Sequence, residues 1–132
     1  MIGVDSNVLL RYVLGDDPLW TKAAEKFFEK TCSPDNPAYI NSIVLVEAVW
    51  VLRRIPGYGK ETIVTFVRGL LDSDRIVIGS REIVELALNN FEKGSAGFAD
   101  CFISALNTEA GATPTYSIDK NAIKNGIFVA IK

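Results

Sequence analysis

The chain has 132 residues, no histidine, a formal net charge of −2 and a pI near 5.1. This balance excludes nucleic-acid binding by bulk positive charge. The missing histidine excludes Ser-His-Asp and Cys-His catalysis, a histidine acid–base pair and every imidazole zinc site.

With 48% hydrophobic residues the chain can bury a core, and its length fits one domain, residues 1–132. No apolar stretch approaches the roughly 18 residues of a membrane span. The opening lacks the basic segment of a signal peptide, and Cys32 and Cys101 read as free thiols of a cytoplasmic protein, with Cys101 buried.

In chain order, Ile2-Gly3-Val4-Asp5 reads as a strand ending on a carboxylate, and Val8 to Leu14 as a short helix. Gly15-Asp16-Asp17-Pro18 breaks it and starts a second helix, about Leu19 to Lys30. That helix gathers Trp20, Ala23, Ala24, Phe27 and Phe28 on one side, against Lys22, Glu25, Lys26 and Glu29. Ala38 to Asn41 is a second strand, and Ser42 the N-cap of a third helix running to about Arg54. This helix is apolar nearly all round, which predicts burial on most sides. A fourth helix covers about Lys60 to Leu71, and Arg75 to Ile78 is a third strand. Ser80 caps a fifth helix, about Arg81 to Glu92, and a sixth runs from Phe98 to about Glu109. Thr115 to Ile118 is a strand ending on Asp119, Ala122 to Asn125 a helical turn, and Ile127 to Ile131 a last strand. The alternation predicts an α/β fold: a central parallel sheet of four to five short strands, flanked by helices on both faces.

Most of the 16 acids lie on polar faces. Asp5, Glu47, Asp100 and Asp119 do not. Asp5 and Asp119 end strands, Glu47 sits among Val44, Val46, Trp50 and Val51, and Asp100 opens a greasy helix with Ser104 and Asn107 on its stripe. Each has an ordinary structural alternative. Asp5 and Asp119 could cap the turns that follow them, and Asp100 could answer a helix dipole. Glu47, mid-helix, has no such excuse. If the four converge at one sheet edge, their charges repel, and a hard divalent cation, Mg²⁺ or Mn²⁺, resolves the repulsion. Such a site suits phosphodiester hydrolysis without histidine. Asn7, Ser104 and Ser117 are placed to orient ligands or water, and Arg11, Lys120 or Lys124 to meet phosphates.

Ile2 to Tyr12 followed by Gly15-Asp16-Asp17-Pro18 resembles the opening of PIN-domain proteins, and most of all the VapC-type toxins of toxin–antitoxin pairs. Val44 to Leu52 around Glu47, Phe98 to Ala105 around Asp100, and Ser117 to Ala122 around Asp119 resemble the later motifs, in order. The resemblance implies a PIN fold and a Mg²⁺- or Mn²⁺-dependent endoribonuclease acting on structured RNA, often tRNA or rRNA. It implies Asp5, Glu47, Asp100 and Asp119 as the acidic cluster, serving as catalytic residues and metal ligands. It further implies a homodimer and an antitoxin protein that inserts a segment near the site. Two positions depart from the pattern: Gly97 stands where many relatives carry a further acid, and Ser117-Ile118 where Thr-Phe is usual.

Two other readings compete. An aspartyl phosphatase using Asp5 as nucleophile needs an acid at position 7, where Asn7 stands. A non-catalytic PIN-fold binding module would be marked by loss of an acid, and all four are present.

Overall fold

Short β-branched segments alternate with helices from end to end in the computed structural model, which describes all residues from Met1 to Lys132. The elements are β1 (Ile2–Gly3), α1 (Ser6–Leu14), α2 (Pro18–Lys26), β2 (Ala38–Ile40), α3 (Ser42–Arg53), α4 (Lys60–Asp72), β3 (Ile76–Ile78), α5 (Arg81–Lys93), α6 (Phe98–Glu109), β4 (Tyr116–Ser117), α7 (Lys120–Lys124) and β5 (Val129–Ala130). No helix is long and apolar enough to cross a membrane. The chain divides into two compact units, Met1–Gly79 and Ser80–Lys132.

In the first unit, β1, β2 and β3 form a parallel sheet in that order. Ile2 stands opposite Ala38, and Ala38 opposite Ile76. The central strand is the most buried, with Ala38 and Ile40 fully covered. Strand β1 stops at Gly3 because the chain must turn: the Asp5 carbonyl already accepts the helical N–H groups of Val8 and Leu9. The core is completed by Leu9, Leu45, Leu52, Ile63 and Val67 from the inner sides of α1, α3 and α4, and by Phe28. Helix α2 does not run regularly to Lys30; it passes into one π-helical turn, Phe27–Thr31. Arg75 Nη1 secures that wide turn by donating to the carbonyls of Glu29 and Cys32, at 2.8 and 2.9 Å.

The second unit packs α5 against α6, with Phe91, Phe98 and Phe102 edge to face at centroid spacings of 5.8 Å. Strands β4 and β5 are parallel and pair with each other. The parallel sheet therefore has three strands, not four to five. With two residues each, β4 and β5 make a ladder of their own.

Three local expectations change. Asn41, not Ser42, caps α3, its Oδ1 accepting from the Val44 N–H at 2.9 Å. Ser80 occupies the N-cap position of α5 in a left-handed conformation, so its hydroxyl makes no cap bond. Helix α3 keeps an open stripe, since Ile43, Glu47, Trp50 and Arg54 fall on one helical face and all are exposed. Both cysteines are buried and unpaired, and burial pushes the Cys32 thiol above its ordinary range.

Gly79 closes this architecture, donating its N–H to the Ile40 carbonyl at 2.9 Å. A Cβ there would lie 2.5 Å from the Tyr39 hydroxyl oxygen and 3.5 Å from the Asn41 Cα. Gly79→Ala is expected to lose about 1–3 kcal/mol of stability through this overpacking. Removing the hydroxyl as well, in Tyr39→Phe/Gly79→Ala, should restore part of it in urea unfolding. A single variant as stable as the wild type would contradict the close approach.

Candidate functional site

The acid-bearing turns are built by helix starts. Asp5 holds the N-cap position of α1 with extended backbone, yet its carboxylate makes no cap bond. Its carbonyl does the local work, and the side chain is left over. Asn7 holds that side chain, with Nδ2 donating to Asp5 Oδ2 at 3.1 Å. Between them Ser6 turns inward, 3% exposed, and its Oγ donates to Glu47 Oε1. Glu47 thus projects from the open face of α3, not from an apolar surround, and is tied to the residue that follows Asp5. The sequence reading missed Ser6; its position between two site residues was the available signal.

In the second unit, Asp119 is a true cap. Its Oδ1 accepts from the backbone N–H of Asn121 at 3.0 Å and of Ala122 at 3.1 Å. Ser117 Oγ accepts the Asp119 N–H at 2.9 Å and fixes the approach to the turn. Asp100 lies in the first turn of α6, half-buried, and makes no hydrogen bond to cap it. Burial, then the charge of Asp119, pushes its carboxyl above the usual carboxylate range. These two acids feel each other. On the same helix, Ser104 is half-buried, while Asn107 Nδ2 donates to Thr115 Oγ1 at 3.0 Å and so joins α6 to the approach of β4.

A common arrangement runs through three of the four carboxylates. One oxygen is held by the protein and the other is left without a protein partner: Asp5 by Asn7, Glu47 by Ser6, Asp119 by the start of α7. Such one-sided anchoring orients a carboxylate for a ligand. Each unit supplies two of these acids, and within neither unit do three acidic or thiol side chains gather as a metal-holding group. The all-oxygen donor set and the mutual repulsion of Asp100 and Asp119 fit a hard divalent cation. Of the basic candidates, Arg11 is paired with Asp16 at 3.1 Å, both about half exposed, and Lys120 and Lys124 are exposed on α7.

Beside Asp5 the first unit opens into a cavity of about 510 Å³. Gly3, Val4, Asp5, Asn7, Val8 and Arg11 line it from the β1–α1 segment, and Trp20, Ala23, Ala24 and Phe27 from α2 and the turn that continues it. On the apolar side of α2, Ala24 is buried while Trp20 stays 60% exposed.

Two predictions follow from the different use of these acids. Asp119→Ala should cost about 1 kcal/mol through its lost cap bonds. Asp5→Ala should change stability by less than about 0.5 kcal/mol, because its carboxylate caps nothing. Equal losses in urea midpoints, measured in chelator, would contradict the distinction. Asp100 holds its proton to higher pH in the folded chain than in the unfolded one. Its ionisation therefore costs stability, and that cost is absent at acid pH and present once pH exceeds the folded-state value. Asp100→Asn should raise Tm by about 2 °C near neutrality and lose this gain by about pH 3. An equal gain at both pH values would show that charge is not its origin.

A profile of the PIN domain matches residues 2–122, a span that takes in all four acids. No curated protein and no solved structure matches the chain. Members of the matched family are generally nucleases, typically dependent on divalent metal ions. The matched span covers nearly the whole sequence, in an α/β frame with a parallel sheet, and the chain belongs to the PIN domain family.

Proposed function

We propose that this protein is a Mg²⁺- or Mn²⁺-dependent endoribonuclease, and the toxin of a toxin–antitoxin pair. Residues 1–132 form one domain in this reading. Structured RNA such as tRNA or rRNA is the substrate. A cognate antitoxin and a second copy of the chain are its protein partners, and the cytoplasm is its location. The observation that carries the reading is the one-sided anchoring of Asp5, whose carboxylate neither caps its helix nor pairs with a cation. Family membership supports it independently.

Asp5, Asp100 and Asp119 are the proposed metal ligands, together with Glu47. A divalent cation bound by them would offset charge developing on the phosphoryl oxygens and lower the pKa of a bound water. The chain's own groups have separate tasks. Asn7 keeps Asp5 Oδ2 engaged and leaves Oδ1 without a protein hydrogen bond. Ser6 engages Glu47 Oε1, so Oε2 is the atom that takes the proton of the attacking water. Oxygen from that water bonds to phosphorus as the bond to the leaving ribose oxygen breaks, and that oxygen takes a proton from solvent water. Asp119 Oδ2 remains available because Oδ1 is committed to the helix start. Ser104 and Ser117 shape the surroundings of Asp100 and Asp119, and Lys120, exposed on α7, supplies positive charge for the phosphate backbone.

The test is incubation with purified tRNA and rRNA, with Mn²⁺, with Mg²⁺ and with EDTA. Internal cleavage is expected with metal only. Asp5→Asn, Glu47→Gln and Asp100→Asn should each reduce it by about 10²-fold or more while remaining folded. Wild-type protein that cuts none of these RNAs in metal would overturn the reading in favour of a binding module. Cleavage undiminished in Asp5→Asn would overturn the site.

A further inference from the structure

We infer that the cavity beside Asp5 seats an unpaired nucleobase of the RNA, stacked on the indole of Trp20. The inference rests on the ribonuclease reading and deepens it by naming what part of the RNA this side of the site takes. Three observations lead to it. First, the lining mixes two chemistries: Asp5, Asn7 and Arg11 come from the β1–α1 segment, within a largely apolar lining that includes Trp20, Ala23 and Phe27. A nucleotide combines the same two, with a flat apolar face a few bonds from a charged phosphate. A base on Trp20 brings its own phosphate toward Asp5. Second, the volume of about 510 Å³ lies within the range of pockets for small organic groups.

Third, the indole is exposed, and the helix start that carries it is fixed. The N–H groups of Leu19 and Trp20 donate to Asp17 Oδ1 at 3.1 and 3.0 Å, and Pro18 opens the helix. Thr21 Oγ1 donates to the Arg11 carbonyl at 3.4 Å and links this turn to α1. An exposed tryptophan on a fixed helix start offers its ring face at a set place beside the cavity, and stacking on aromatics is how proteins commonly hold unpaired bases. Charge favours the same occupant. The cavity's one cation, Arg11, is already paired with Asp16, so a neutral base meets the apolar lining without stranding a charge.

The second tryptophan, Trp50, stands on α3 with the Arg54 guanidinium 4.4 Å from its ring centroid. Trp50→Phe therefore leaves Trp20 as the sole reporter. Its emission is titrated in EDTA with a single-stranded oligoribonucleotide, with a blunt duplex of the same sequence and with a basic amphipathic peptide. The single strand is expected to quench saturably, and the duplex at least about tenfold more weakly. In otherwise wild-type protein with metal, Trp20→Ala should raise KM for RNA cleavage by about 5- to 100-fold, with kcat within about twofold and Trp20→Phe largely restoring KM. Equal quenching by duplex, or quenching by the peptide alone, would overturn the base seat, the latter in favour of a protein-docking surface. RNA cleavage with an unchanged KM in Trp20→Ala would overturn it while leaving the ribonuclease reading intact. Single-strand quenching in a protein that cuts no RNA would uphold the seat and remove the nuclease.

Discussion

The start of the first helix is the constraint on which the site depends. Within four residues the chain leaves a parallel strand and enters α1, and the Asp5 carbonyl makes the first helical hydrogen bonds. That leaves the carboxylate with no structural duty. The carboxylate stays exposed to solvent. Here Asn7 steadies it, and Ser6, buried by the same turn, reaches across to Glu47 on α3. One backbone transition thus orients two acids contributed by distant parts of the sequence. The parallel register of β1 on β2 holds that turn in place, and the Asn41 cap fixes the start of the helix that carries Glu47.

The second unit solves a related problem differently. Asp119 is used structurally, closing α7 with one oxygen. Asp100 has no such bond and carries the strain of partial burial and a like charge. Catalytic carboxylates and helix caps are often treated as alternatives. Asp119 is compatible with both, since a cap occupies one oxygen and a ligand the other. In the proposed ribonuclease, a polyanion would be handled through what the acids bind rather than through a basic surface. This agrees with the paired state of Arg11 and the low pI.

Much of this was legible in the residues. Helical periodicity gave α4 and α6 nearly to the residue, because each has a clear apolar stripe and a glycine at its N-cap. The strands were found but drawn too long, since period-two patterning says nothing about where a ladder runs out of partners. The expectation of one sheet of four to five strands failed on this point: β4 and β5 pair with each other. Burial on α3 was misread because Ile43 and Trp50 count as core residues by type, though 78% and 57% exposed. Hydrophobicity identifies the face of a helix but not whether chain or cavity lies against it. The four acids were identified by their placement among apolar residues. Their partners were less visible, because a hydrogen bond such as Ser6 to Glu47 spans 41 positions.

The central claim is that the Asp5 carboxylate is kept for a cation. Calorimetric titration of Mn²⁺ into the wild-type protein and into Asp5→Asn tests it most directly, free of any choice of RNA. The account predicts saturable binding by the wild type and at least about tenfold weaker binding by the variant, a difference of about 1.4 kcal/mol. Equal binding by both proteins, or none by the wild type, would contradict it.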